Sequence, residues 1–268
     1  MILLTGGTSF NAKEFVNNYD EEFFIMHHKN KVKINNSNVI YLNSIKELKK
    51  LNKKDEINTI VNFASSINSK NNLYNNFLSS FFYLLRIYFV LKKFNLGLII
   101  NIGSLWQDVP KMRFKSYVVI KNLTDFVFIK LFKKVNYLTI KLGDTYGVDD
   151  SRNKLVKILK DQLVKEKLEL KGSKINLVFP IHTKTLSKIV EYILKNKTIL
   201  INSNVKKLRA YVEPYTLLEF VNLFSIAHNF NKEILFGKSR GIYYEDLKPD
   251  SDFCFLINEN MIDTLKDI

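Results

Sequence analysis

A chain of 268 residues, 46% hydrophobic and 13% aromatic, can bury a substantial core as one α/β domain with a smaller appendage. Its formal charge of +15 comes from 41 lysines and arginines spread along the whole length among many asparagines and isoleucines; that is a compositional bias, not a patch, and no helix-turn-helix, zinc or RNA-motif spacing argues for nucleic acid. A single cysteine, Cys254, excludes an internal disulfide framework and fits a reducing cytoplasm, and four histidines, two of them adjacent (His27, His28), offer no metal-ligand spacing.

Strand-like and helix-like segments alternate, the pattern of a parallel sheet covered by helices. Strands are expected at Ile2–Leu4, Phe23–His27, Asn38–Leu42, Thr59–Phe63, Gly97–Ile102, Tyr137–Leu142 and Thr198–Ile201. Helices fit Asn11–Asn18, Ile45–Leu51, Tyr74–Lys93, Tyr117–Lys134, Lys154–Glu166, Thr185–Lys195 and Pro214–His228. The chain starts on a strand and a glycine turn, not on a charged stretch followed by a signal-peptide core. The most apolar run, Phe77 to Val90, is interrupted by Arg86 and flanked by Lys92 and Lys93, so it reads as a helix on the sheet and not as a membrane span.

The first strand runs into Thr5-Gly6-Gly7-Thr8-Ser9-Phe10-Asn11-Ala12. Glycine there permits a tight turn and the close approach of a pyrophosphate to helix N-terminal amides. Gly6 fills the first position of a dinucleotide fingerprint, while Ser9 and Ala12 stand in the second and third. Ala12 is an accepted substitute. Ser9 brings a β-carbon toward the phosphates and a hydroxyl that could donate to them.

Ser104 closes the run Leu98-Ile99-Ile100-Asn101-Ile102-Gly103-Ser104, and Tyr117 and Lys121 follow. Residues four apart share a helix face, so Lys121 can sit beside the Tyr117 phenol and favour its ionisation. Ser104, at a strand end, can hydrogen-bond the same carbonyl oxygen. That set suits reduction of a ketone or oxidation of an alcohol. The pair alone also fits an aromatic on a buried face and a lysine on a solvated one.

Taken in order, these motifs resemble the short-chain dehydrogenase/reductase superfamily, and within it the extended branch of nucleotide-sugar epimerases, dehydratases and 4-ketoreductases. Val61-Asn62-Phe63-Ala64-Ser65 resembles the strand after which the cofactor passes, and Asn76 the asparagine opening the next helix. Lys141-Leu142-Gly143-Asp144-Thr145-Tyr146-Gly147 resembles the Arg-Leu-x-Asn-x-Tyr-Gly turn. The likeness covers most of residues 1–200. It implies a Rossmann-type doubly wound parallel sheet with a small C-terminal substrate-binding lobe. Residues 1–147 would be the dinucleotide domain, with 179–203 returning to the sheet, and 148–178 and 204–268 would form the lobe.

The resemblance further implies cofactor contacts from Gly6, Thr8, Ser9, Phe10, Phe63, Ala64, Ser65, Tyr117 and Lys121. An acidic residue at the end of the second strand selects NAD by meeting the adenosine ribose. No carboxylate lies between Phe23 and Asn43, and His28 and Lys29 could meet a 2′-phosphate, so NADPH is expected, with NADH as the alternative. The same two residues also fit a solvated basic loop. Asn43 stands where the family approaches the adenine, or is a turn residue.

The expected reaction is reduction of a keto group, C4 foremost, on a nucleotide-linked deoxysugar for surface-polysaccharide synthesis. Tyr117 would be the proton donor, with Lys121 and Ser104 beside it. Trp106, Thr145 and Tyr146 would line the sugar site, although Trp106 also fits loop packing. Arg209 and Arg240 would meet the diphosphate, although each also fits a surface position. An NAD-dependent epimerase and a non-catalytic dinucleotide sensor remain the alternatives. Dehydration needs acids where Leu105 and Trp106 stand. No nucleic-acid partner and no membrane insertion are expected. A homodimer through Tyr74–Lys93 and Tyr117–Lys134 would explain the apolarity of those helices, as would a covered core.

Overall fold

The computed structural model describes residues 1–26, 36–51, 57–64, 81–110, 115–152, 154–202, 206–211, 214–239, 253–256 and 260–268. The first half contains β1 (Ile2–Thr5), α1 (Lys13–Asn18), β2 (Phe23–Met26), β3 (Val39–Leu42), α2 (Ile45–Lys50), β4 (Thr59–Asn62), α3 (Tyr83–Leu91), β5 (Leu98–Ser104), α4 (Ser116–Leu131) and β6 (Asn136–Leu142). The second half adds β7 (Asp144–Tyr146), α5 (Leu155–Gln162), β8 (Lys167–Gly172), β9 (Leu177–Val178), β10 (Pro180–His182), α6 (Thr183–Lys195) and α7 (Lys197–Asn202). It continues with β11 (Lys207–Tyr211), β12 (Tyr215–Thr216), α8 (Leu217–Ala227), β13 (Glu233–Ser239), β14 (Phe253–Leu256) and α9 (Met261–Lys266).

Eight of these strands form one sheet in the order β3-β2-β1-β4-β5-β6-β11-β14, every neighbouring pair parallel. Strands β1, β2, β4 and β5 are buried along their whole length, as a sheet covered on both faces requires. Period-two alternation then sorts adjacent residues to opposite cores. Leu4, Ile25, Val61, Ile100 and Ile140 pack under α1 and α6, against Phe15, Val16, Leu186, Ile189 and Ile193. Leu3, Phe24, Ile60 and Ile99 face α2, α3 and α4, against Leu48, Leu84, Tyr88 and Phe128. Each such buried side chain contributes about 1.5–3 kcal/mol. The Rossmann-type doubly wound sheet expected from the sequence is the architecture observed.

A separate core holds the lobe, with α5, β8, α8 and α9 meeting at Leu159, Leu168, Phe220, Phe224, Met261 and Leu265. Strands β8 and β13 pair in parallel beside it. Two expectations need correction. Thr198–Ile201 is not a strand: it lies within α7, begun by the Asn196 carbonyl, which accepts from the amides of Ile199 and Leu200. A short Ile-Leu-Ile run fits either period, and here only Leu200 packs on the main core while Ile199 faces solvent. The strand that joins the sheet beyond β6 is β11, in register from Lys207 opposite Thr139, so residues 204–268 supply the sheet as well as the lobe. Among the described residues no helix is long and apolar enough to cross a membrane.

Candidate functional site

The chain winds outward from β1 through β2 to β3, then crosses back to β4, so the order reverses between β1 and β4. Ligands of open α/β sheets bind in the crevice outside the carboxyl ends of the strands at such a point. Gly6 leaves β1 with φ +69°, and a β-carbon on it would lie 2.4 Å from the Ala64 nitrogen, so only glycine lets the two strand ends approach this closely. The Ser9 amide donates to the Gly6 carbonyl at 2.9 Å and the Ala12 amide to Ser9 at 3.0 Å, with Ala12 buried against the sheet. The Ser9 hydroxyl is buried with no hydrogen-bond partner among the described residues. Phe10 carries the Arg152 guanidinium 4.1 Å above its ring.

On the same carboxyl edge, β5 ends at Ser104 and turns directly into a short 3-10 segment, Leu105–Asp108. The turn closes as a capping box: the Ser104 side chain accepts from the Trp106 amide at 3.3 Å, and the Gln107 side chain accepts from the Ser104 amide at 2.9 Å. Helix α4 brings Tyr117 to this turn, with its phenol near the Ser104 side chain. Burial holds the phenol above its ordinary value, the nearby Ser104 hydroxyl pulls it down, the Asp144 carboxylate raises it and Arg152 lowers it. Tyr117 is therefore a protonated donor at neutral pH.

One helical turn on, Lys121 is 4% exposed, with its ammonium donating to the Ile102 carbonyl and lying 5.9 Å from the Tyr117 ring centroid. Burial lowers it to about 8, against the pull of Asp125, which raises it. The structure thus brings Ser104, Tyr117 and Lys121 together as the sequence anticipates.

The remaining expected residues divide. Trp106 packs beside Leu105, Val109, Leu177 and Phe179. Thr145 faces Arg152, whose guanidinium donates to its hydroxyl at 3.0 Å and its carbonyl at 2.8 Å. Tyr146 lines the same small cavity as Thr145, with its ring buried in the lobe core and its hydroxyl meeting Thr264 at 2.6 Å and Met261 Sδ at 3.1 Å. Arg209 is buried, with Nε and Nη2 each 2.9 Å from Asp108 Oδ2, while Lys141 bonds the other oxygen of the same carboxylate. Its fork therefore pins the turn after Ser104. Phe63 packs its side chain against Phe15, leaving its backbone at the strand end, and Thr8 is exposed. Asn43 joins the start of α2, its amide donating to Glu47 at 2.8 Å. His28, Lys29, Ser65, Asn76 and Arg240 lie outside the described residues.

Sequence reading missed Arg152. Besides Phe10 and Thr145, it reaches Asn11 Oδ1 at 3.3 Å and holds Asp150 at 2.7 Å, joining the glycine turn to β7. Its signal was scarcity, since it is one of five arginines in a lysine-rich chain, five residues past Gly147. Asp144, Thr145, Tyr146, Lys154, Leu155 and Phe220 line a small cavity of about 20 Å³ beside the lobe.

No family model and no curated protein matches the sequence. Solved structures do match, over 99% of this chain. UDP-N-acetylglucosamine 4-epimerase from Bacillus cereus aligns at TM-score 0.72 and 17% identity over 94% of its own length. UDP-glucose-4-epimerase from Stenotrophomonas maltophila, with bound NAD and formylated UDP-arabinopyranose, aligns at 0.77 and 11% over 96%. The chain has the fold of the nucleotide-sugar epimerases. That fold extends to TunA, an NAD-dependent NDP-hexosamine 5,6-dehydratase of tunicamycin biosynthesis, at TM-score 0.63 and 9% identity.

Proposed function

We propose that this chain exchanges hydride between a nicotinamide dinucleotide and a hydroxyl-bearing or keto carbon, C4 foremost, of a nucleotide-diphosphate sugar. The observation that carries the reading is the convergence of the Ser104 side chain and the Tyr117 phenol at one strand end, with the Lys121 ammonium buried one helical turn behind them. A dinucleotide fits the crevice: Gly6 leaves no β-carbon at the strand junction, and the Ser9 hydroxyl, without a partner among the described residues, can donate to a phosphate oxygen. When bound, the nicotinamide supplies or accepts the hydride. Ser104 holds the sugar oxygen by a hydrogen bond and polarises it. Tyr117, held protonated by burial, gives that oxygen its proton during reduction and takes it back in the reverse sense. The Lys121 charge offsets the phenolate left behind. Arg152 holds the glycine turn against β7.

Within this reading we favour net reduction with NADPH, because no carboxylate stands between Phe23 and Asn43 to repel a 2′-phosphate. Epimerisation with retained NAD is the second reading, and the 4-epimerases that share the fold favour it; one, UDP-glucuronic acid 4-epimerase from Bacillus cereus, was solved with UDP-glucuronic acid and NAD. Dehydration is disfavoured, because the carboxylate of the Ser104 turn, Asp108, is held by Lys141 and Arg209. We also propose a homodimer through α3 and α4, whose outer faces present Phe89, Val119, Phe126 and Ile129 to solvent.

A reductase must release its spent cofactor at every turnover, whereas an epimerase regenerates and keeps it. Protein purified and dialysed should therefore be cofactor-free and should consume NADPH with a 4-keto nucleotide sugar. NAD retained through dialysis, with interconversion of C4 epimers and no NADPH consumption, would decide for the epimerase.

A further inference from the structure

The polar side chains in the middle of the sheet form one rung with one direction. Thr5, Asn62, Asn101 and Thr139 are register partners on β1, β4, β5 and β6, and all four are buried. The rung before it is wholly apolar: Leu4, Val61, Ile100 and Leu138. Thr5 Oγ1 donates to Asn62 Oδ1 at 2.6 Å, Asn62 Nδ2 to Asn101 Oδ1 at 2.7 Å, and Asn101 Nδ2 to Asp125 Oδ1 at 2.7 Å. The same oxygen accepts from the Tyr137 hydroxyl at 2.7 Å and from Thr139 Oγ1 at 2.9 Å. Asp125 Oδ2 accepts from Gln107 Nε2 at 2.9 Å. Every donor in the chain points toward Asp125.

Buried amides are costly wherever a partner is missing, and aliphatic side chains would fill a sheet interior without that risk. Here the network ends on a carboxylate that borders the site on three sides. Asp125 lies four residues after Lys121 and eight after Tyr117 on α4, hence on their face. Gln107, held through its amide nitrogen by Asp125 and by Asn122 Oδ1 at 2.9 Å, accepts from the Ser104 amide through its oxygen. Asn62 Oδ1 also accepts from the Ala64 amide at 3.0 Å, which ties the loop after β4 to the same hub.

Resting on the function proposed above, we infer that Asp125 is the positioning residue of this site: it touches no substrate but sets the Ser104 turn, the Tyr117–Lys121 face of α4 and the Ala64 strand end in one frame. The carboxylate matters here because it accepts from Gln107 Nε2, alongside Asn122 Oδ1 at 2.9 Å, and so leaves Gln107 Oε1 for Ser104. In Asp125→Asn one carboxylate oxygen becomes a donor. If that donor meets Gln107, the glutamine amide must flip and the Ser104 amide loses its acceptor.

The chain carries its own probe, since Trp106, its one tryptophan, sits in this turn between Ser104 and Gln107. Wild type, Asp125→Asn, Gln107→Leu and Tyr117→Phe are compared by acrylamide quenching of Trp106, with no ligand present, and by NADPH consumption with UDP-, dTDP-, CDP- and GDP-linked 4-keto-6-deoxysugars. In Asp125→Asn and Gln107→Leu, quenching should rise, while kcat falls about tenfold to a hundredfold with KM for the sugar nucleotide within about twofold, because geometry and not binding is lost. Gln107→Leu spares the hub, so it decides alone should Asp125→Asn fail to fold. Quenching unchanged in Gln107→Leu, or raised with kcat intact, overturns the inference. Turnover surviving in Tyr117→Phe sinks the proposed function instead, as does a wild type that neither consumes NADPH nor interconverts C4 epimers. Quenching then still decides whether Asp125 holds the turn.

Discussion

Replacing Lys121 by methionine should remove activity and add stability, and the stability gain should depend on pH in one direction. The Lys121 ammonium is buried at 4% exposure and its pKa falls from an ordinary 10.5 to about 8, chiefly through desolvation. A drop of that size means the charged form costs the fold about 3 kcal/mol near pH 7 relative to the unfolded chain. A folded-state pKa below the unfolded one for a lysine means that the unfolded chain binds more protons between the two values. The cost is therefore complete below about 8 and is relieved as pH rises from there toward 10.5. Methionine fills similar space without the charge. Loss of the hydrogen bond to the Ile102 carbonyl returns about 1 kcal/mol, leaving Lys121→Met more stable by about 2 kcal/mol near pH 7. By about pH 9.5 the advantage should shrink below about 1 kcal/mol. Urea unfolding of both proteins at the two pH values reads the difference, in which all other titrations cancel. A gap between variant and wild type that stays constant across this range refutes the reasoning, because Lys121 would then carry no buried-charge cost to relieve.

Two further outcomes are expected. His182 is fully buried, its Nδ1 accepts from the Lys184 amide, and burial, then the Lys184 cation, lowers it to about 4 from an ordinary 6.5. Its stabilising neutral form is complete above 6.5 and is lost as pH falls toward 4, so wild type should lose about 2 kcal/mol from this group by about pH 5. His182→Asn, which keeps a cap acceptor, should show a correspondingly flatter acid limb in denaturant titrations, and an equally steep one would contradict the assignment. Phe126 is 60% exposed on the outer face of α4, so Phe126→Glu should convert a dimer to a monomer in sedimentation velocity while unfolding of the isolated protomer moves by no more than about 0.5 kcal/mol. A wild type that sediments as a monomer removes the dimer proposal.

Local features were legible because local rules govern them. Ser104 at a strand end and Tyr117 and Lys121 one helical turn apart need only strand and helix periodicity to be placed, and Gly6 needs only a turn after β1. What was not legible depends on pairing across the sheet. Thr5, Asn62, Asn101 and Thr139 become one rung only once β1, β4, β5 and β6 are in register. Arg209 was expected to meet a diphosphate, but β11 lies opposite β6 in register with Lys141, which brings its guanidinium to Asp108. Tyr146 was expected only beside the sugar, but pairing of the lobe elements also gives its hydroxyl Thr264 and Met261, 118 and 115 residues further on. The Ile-Leu-Ile run in α7 carried no period of its own, and its strand assignment failed for that reason.

Turnover in Tyr117→Phe beside wild type tests the central claim most directly. Both proteins, given NADPH or NAD, are offered UDP-, dTDP-, CDP- and GDP-linked sugars and 4-keto sugars, with cofactor absorbance and the proton NMR signals of the sugar followed together. The account predicts that wild type transforms one nucleotide series, and that Tyr117→Phe, folded and binding the dinucleotide as wild type does, loses the reaction. Turnover that survives the loss of the phenol, or dinucleotide binding with no transformation of any sugar, would contradict it.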